Sequence, residues 1–343
     1  MSRAQLTSTV EQNTGGAVAP FLAGKNKIIN GDFGIWQRGT SFTNPSNGTY
    51  VADRWFVAYE NGTVTSSSVT QQTFTPGTAP VAGYEGSYFL RRTYTTLGTA
   101  TLSRLDQKIE DVRAFAGQTV TISYWAKSNA SISVINYAVQ NMGTSGSGGG
   151  APSVGGFTLT SSWARYSFQI AIPSLAGTTI GTGSNLEIMF QLGNLSNGAT
   201  FDLWGVQLEA GSVATPFTTA TGTLSGELAL CQRYFYIKNG ANGASGTSEM
   251  IGLGTFYNST IFRCPLQFPV QMRTAPSFVS ANSANYFQIL GNSTNNQYST
   301  VTLDYSTPTA CDLNVTVSGA TGGQSAWLQT NSGSAFLQFS AEL

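Results

Sequence analysis

The sequence predicts an all-β protein: a jelly-roll β-sandwich followed by a smaller C-terminal β domain, with an extended N-terminal arm. Three observations predict it. Charged residues are only 9% of the 343, against about 25% in an ordinary soluble protein, so Ser, Thr, Asn, Gln and Gly must cover the surface. Gly contributes 39 residues, a usage that suits many short strands joined by tight turns. Hydrophobicity alternates with a period of two through most of the chain, the pattern of strands buried on one face.

Residues 1–27 are polar and lack sustained periodicity, apart from a short apolar stretch at 18–22, and are expected to form the arm. The jelly roll is expected over 28–217. Strands are predicted at 50–59, 131–139 and 200–209. In 163–172, Tyr166, Phe168, Ile170 and Ile172 share one face while Arg165, Ser167, Gln169 and Ala171 take the other. Leu186, Ile188, Phe190 and Leu192 repeat the pattern, as do Val120, Ile122, Tyr124 and Ala126. Asn47-Gly48, Asn61-Gly62 and Asn197-Gly198 mark turns between them. Seven or more short strands in this span suggest a sandwich of jelly-roll type. Between Leu102 and Gly117 the spacing fits both helix and strand, and predicts a strand to about Ile109 followed by a helical turn. The Gly/Ser-rich stretch 143–156 is not followed by the lysine of a phosphate-binding loop, so it reads as a strand connection.

The small-residue run 218–226 marks a domain boundary. Beyond it, 227–231 is a short apolar stretch, strands are predicted at 232–238 and 312–317, and a hairpin is expected across Asn331-Ser332-Gly333. Pro265, Pro269 and Pro276 assign their segments to edges or loops. After Arg273 the chain contains no Lys or Arg, which leaves an amide- and hydroxyl-rich surface over most of 218–343.

Composition also excludes functions. Sixteen basic residues balance sixteen acidic ones, so there is no basic patch to neutralise phosphates and no nucleic-acid partner is expected. No run of about 20 apolar residues is present to span a bilayer, and residues 1–11 lack the regions of a signal peptide. Histidine is absent, which removes Ser-His-Asp and Cys-His catalysis and every imidazole metal site. The three cysteines, Cys231, Cys264 and Cys311, have no metal spacing. They are expected to be buried free thiols, as in a protein made in a bacterial cytoplasm.

Four strings carry a family resemblance. Asn26-Lys27-Ile28-Ile29-Asn30-Gly31-Asp32-Phe33, followed by Ile35-Trp36-Gln37-Arg38-Gly39-Thr40, resembles the opening of a recurrent tail-fibre module of phages and prophages. Ala52-Asp53-Arg54-Trp55 is similar to its next motif. Lys108-Ile109-Glu110-Asp111-Val112-Arg113 matches its middle. Trp204-Gly205-Val206-Gln207-Leu208-Glu209-Ala210-Gly211, Ala214-Thr215-Pro216-Phe217 and Glu227-Leu228-Ala229-Leu230-Cys231-Gln232-Arg233-Tyr234 match its close. Phe268-Pro269-Val270 to Met272-Arg273, ending Ala275-Pro276, is similar to the domain that often follows the module, so the resemblance covers about 28–280. It implies a fibre or spike protein of a virion, on the tail or the head, with a carbohydrate-binding-module-like jelly roll. The arm would dock onto other virion proteins, and the chain would assemble as a homotrimer. Jelly rolls of this kind often hold a structural calcium, for which Asp32 and Asp202 are the candidate ligands. The acidic residue that commonly follows the Phe in such relatives is Gly34 here.

No cofactor other than that calcium is expected. A glycosidase needs two carboxylates flanking the bond, and the densest acidic group, Asp106, Glu110 and Asp111, matches a scaffold motif; the expectation is therefore a binder, not an enzyme. The host-surface polysaccharide would be held by aromatic faces and by amides. Tyr84, Tyr88 and Tyr94 in the jelly roll, and Tyr286, Tyr298, Tyr305 and Trp327 in the C-terminal domain, are the candidate contacts, with the C-terminal set favoured. A depolymerase, and a decoration protein of capsid or tail with no ligand, are the alternatives.

Overall fold

The computed structural model describes residues 24–343 except 61, 63, 82–83, 101, 240–247 and 292–293. The expected arm therefore lies outside the described residues as far as residue 23. Residues 24–27 belong to the sandwich: the Asn26 side chain donates to Val206 O and Thr218 O and accepts from Leu208 N.

Eleven strands come first: β1 (Ser41–Thr43), β2 (Trp55–Glu60), β3 (Val64–Thr73), β4 (Tyr88–Leu97), β5 (Leu102–Glu110) and β6 (Thr119–Ser128). They continue with β7 (Ser133–Asn141), β8 (Ser153–Thr158), β9 (Ala164–Ala171), β10 (Asn185–Gly193) and β11 (Ala199–Ala210). They form two antiparallel sheets, in the orders β1-β3-β4-β11-β6-β9 and β2-β5-β10-β7-β8. The alternation legible in the sequence is what faces them: Val120, Ile122, Tyr124, Ala126, Leu186, Ile188, Phe190 and Leu192 are all fully buried in the core between the sheets. Residues 102–117 form strand β5 and then turns closed by Ala114 N to Asp111 O and Ala116 N to Arg113 O.

One irregularity in β11 shapes the outer surface. The register slips between Trp204 and Gln207, and Gly205 takes φ 66° there, where a Cβ would stand 2.7 Å from Trp125. The extra residue is a β-bulge, which changes which side chains face inward. Phe201 and Leu203 before it, and Val206 and Leu208 after it, all enter the core. Trp204 faces the other way, into a separate apolar cluster with Phe74, Phe89, Trp125 and Phe217.

The first compact unit ends at Leu228 rather than at 217. The run expected to link, and Glu227 just after it, are bonded to it: Thr218 N donates to Gln207 Oε1, and Asn30 N donates to Glu227 Oε2. The apolar stretch 227–231 lies in a helix, α1 (Leu224–Gln232).

The second unit holds β12 (Phe235–Asn239), β13 (Met250–Phe256), β14 (Ile261–Gln267), β15 (Ser277–Ser280) and β16 (Phe287–Gly291). Then follow β17 (Thr294–Tyr298), β18 (Thr302–Ser306), β19 (Ala310–Thr316), β20 (Ser325–Thr330) and β21 (Phe336–Ser340). A sheet in the order β12-β21-β15 accompanies one in the order β17-β16-β20-β13-β14-β19-β18, over a core of Phe262, Phe287, Leu313, Leu328, Leu337 and Phe339.

One expectation fails here. The turn at 331–333 does not make a hairpin, because β20 already has β13 and β16 on its two sides; the chain passes to the other sheet, where β21 pairs with β12 and β15. Pro265 lies inside β14, paired with Asp312 of β19. The β13–β14 ladder reaches only to Arg263, so the other side of the strand is locally an edge, with space for a residue that has no N–H to donate.

Candidate functional site

The candidate site lies in the first unit and is built by three segments. The first is the turn before β1. Asn30 is buried; its side chain bonds Ile35 O, Asp53 O and Ile35 N, and its carbonyl accepts from Trp55 Nε1. Phe33, at φ 56°, points into the core against Trp55. With Asn30 and Phe33 anchored inward on either side of it, Asp32 is held on the outer side of the turn.

The second segment is 84–88. Tyr84 packs edge-on against Trp204 and Phe217, each with ring centroids 5.4 Å away. Gly86 is required by that packing: a Cβ there would stand 2.9 Å from the Trp204 indole. Glu85 accepts from Gly77 N, and Tyr88 opens β4 with 37% of its surface exposed. The third segment is 219–227. Thr223 caps α1 by accepting from Gly226 N, in the usual manner of an N-terminal hydroxyl. Glu227 uses both carboxylate oxygens, Oε1 for Thr221 N and Oγ1 and Oε2 for Asn30 N.

Together they enclose a cavity of about 630 Å³ lined by Asp32, Tyr84, Glu85, Tyr88, Leu224 and Glu227, among others. Burial, and then the charge of Glu227, push the Asp32 carboxyl above its ordinary pKa of 3.8. Burial and the same two carboxylates push the Tyr84 hydroxyl up to about 12, so Tyr84 stays a neutral donor. Asp32 accepts from the amide of Gly34 at 3.4 Å, and no described cation pairs with it. Tyrosine rings beside an under-satisfied carboxylate suit the C–H face and hydroxyls of a sugar.

Of the residues expected to bind, Tyr84, Tyr88 and Asp32 converge on this cavity. Tyr94 does not. It is fully buried between the sheets with the Arg92 guanidinium 5.1 Å from its ring, because its position on β4 faces inward. Asp202 does not join them: Arg91 grips both its oxygens at 2.7 Å and Lys127 lies 3.6 Å away. Among the described residues no group of three or more His, Cys, Asp or Glu is placed to hold a metal. Glu227 and Glu85 were missed; the signal for Glu227 was its place in the first turn of a helix not foreseen.

The C-terminal set is dispersed. Tyr286 and Tyr298 are half-buried against their own core. Tyr305 and Trp327 are 65% and 46% exposed. Tyr298 on β17 and Tyr305 on β18 occupy opposite edges of the seven-stranded sheet, which at about 4.8 Å per strand puts them roughly 29 Å apart. Tyr305 instead joins Tyr257 in flanking Arg263, which Asp304 holds at 2.7 Å. The Asp106 group also separates: Asp106 is buried on β5 beside Arg104, while Asp111 sits in the turn beyond and pairs with Arg113.

No family model matches the chain, and no curated protein matches it. Among solved structures it is similar to the enzymatically active domain of bacteriophage CBA120 tailspike protein 4, with 16% identity and a TM-score of 0.36 over 55% of this chain; the match spans only 22% of that chain. It is also similar to a family 11 carbohydrate-binding module from Clostridium thermocellum, solved with a mixed-linked tetrasaccharide, with 14% identity and a TM-score of 0.31 over 52% of this chain and 99% of that one. A cyclase from Fischerella sp. TAU matches with 12% identity and a TM-score of 0.36, over 54% and 96%. Likeness at this level does not assign a function.

Proposed function

We propose that the chain is a fibre or spike protein of a phage particle that binds host-surface glycans without cleaving them, through the Asp32–Tyr84–Tyr88 cavity. The carrying observation is that two tyrosines and a carboxylate with no cationic partner among the described residues, from segments distant in sequence, line one open cavity. The tail-fibre strings between Asn26 and Tyr234 support the virion setting. The engagement of Glu227 supports the non-catalytic reading: hydrolysis needs two carboxylates flanking the bond, and both oxygens of Glu227 are held by backbone and hydroxyl donors.

Single-site affinity is expected near millimolar, about −4 kcal/mol, raised by several copies per particle. Asp32→Asn and Tyr88→Ala, both at or near the surface, should each weaken binding of host polysaccharide fragments about fivefold or more in an NMR titration. Unchanged affinity in both variants sinks this placement, and release of reducing ends by the purified protein sinks the non-catalytic reading.

The same proposal includes a homotrimer. Exposed Met250, Leu253 and Trp327 lie on neighbouring strands β13 and β20 of the second unit, and exposed apolar surface of this kind supports contact between subunits. Native mass spectrometry should find three chains; a stable monomer at micromolar concentration overturns that part.

A further inference from the structure

We infer that the cavity selects an amine-bearing sugar, a hexosamine unit with its amino group free, over neutral or acidic sugars. This rests on the cavity being a glycan site. Its described lining includes three carboxylates, Asp32, Glu85 and Glu227, and neither Lys nor Arg. Glu227 uses both oxygens for Asn30 and Thr221, and the exposed Glu85 uses one for Gly77 N. Asp32, held by Gly34 N at 3.4 Å, keeps acceptor capacity for a ligand at the half-buried side of the cavity, and it stands within the field of Glu227.

An ammonium answers this arrangement better than a hydroxyl. A charge-assisted hydrogen bond to a half-buried carboxylate is roughly twice as strong as a neutral one, and the cation would also offset the repulsion between Asp32 and Glu227. Tyr84 and Tyr88 add ring faces, which attract cations. Uronate or phosphate groups would meet only like charge.

A second feature points to a sugar rather than a bare cation. The rings of Tyr84 and Tyr88 line the same cavity as Asp32 and suit the C–H face of a sugar ring. A hexosamine carries both groups, an ammonium for Asp32 and a C–H face for the tyrosines.

The test uses the glucosamine tetrasaccharide, its fully N-acetylated form and cellotetraose, titrated against the full chain at a pH where the amine is protonated. The free-amine oligomer should bind about tenfold more tightly than the other two. Asp32→Asn should bring the three within about twofold of one another while the circular dichroism spectrum is unchanged. Equal affinity for all three in the parent protein, or a preference that survives Asp32→Asn, overturns the amine assignment and leaves the glycan reading standing. Tight binding of calcium chloride alone at this site also overturns it. If none of the three oligomers binds, the glycan reading falls and this inference with it.

Discussion

Stability should fall as pH rises from about 4 to about 8, and Asp106→Asn should remove most of that slope. The cause is a buried charge imbalance on the outer face of the five-stranded sheet. One guanidinium, Arg104, meets three carboxylates: Asp106 at 2.9 Å, Glu187 at 3.8 Å, and Glu60 in direct contact. Asp106 is fully buried. Burial first of all, with Glu187 and Glu60 adding to it against the pull of Arg104, pushes its carboxyl from 3.8 up to about 8. In the unfolded chain that carboxyl ionises near 3.9. Between the two values the folded protein therefore binds more protons than the unfolded one, and the unfolding free energy declines with pH. The stabilising contribution is complete below the unfolded pKa and lost once pH passes the folded one. Over about four pH units this amounts to at most about 5 kcal/mol. Asparagine keeps an acceptor for Arg104 Nε and has no proton to lose. Urea midpoints at pH 5 and pH 8 decide the matter. The parent should be the more stable at pH 5, with a much smaller difference in the variant, since Asp32 and Glu187 are shifted in the same direction. Equal slopes in both proteins would remove Asp106 as the cause.

What could be read from the sequence follows from how local each feature is. Strands such as β6 and β10 were legible because one face of each is entirely buried, and that face is written in alternate residues. Helix α1 was not: its nine residues include Ser225 and Gly226, and so short a segment shows no clear apolar stripe. Asn331-Ser332-Gly333 signalled a turn correctly, but a turn does not say which strand its second arm will join; that depends on β20 being flanked on both sides. Pairing of this kind is a long-range property. The same limit governs the site. Tyr84 and Tyr88 were candidates by residue type, but Tyr88 and Tyr94 lie six residues apart on β4 and share a parity; Tyr88 is exposed because it opens the strand, before the buried run of Leu90, Arg92 and Tyr94. Glu227 meets Asp32 through the packing of residues 218–228 on the sandwich, which no local pattern encodes.

Trp204→Ala should cost about 3–5 kcal/mol and should also abolish measurable sugar binding at the cavity. Trp204 is the centre of the outer apolar cluster, with ring neighbours Phe74, Tyr84, Trp125 and Phe217 at centroid distances of 5.1–5.9 Å. Removing the indole opens a void under Tyr84 and Gly86 and takes away the surface that sets the angle of the Tyr84 ring. Destabilisation alone would not distinguish this role from ordinary packing, so the comparison is with Phe190→Ala. Phe190 is equally buried, but it lies between the sheets against Trp55 and Tyr124 and belongs to a different cluster. Its truncation should cost a similar 3–5 kcal/mol. Both variants are to be titrated with the same oligosaccharides at a temperature where circular dichroism shows each to be folded. The expected result is parent-like affinity in Phe190→Ala and at least tenfold weaker binding in Trp204→Ala. Parent-like affinity in both would mean that the outer cluster supports the fold without shaping a site, and that the ligand is held elsewhere on the molecule.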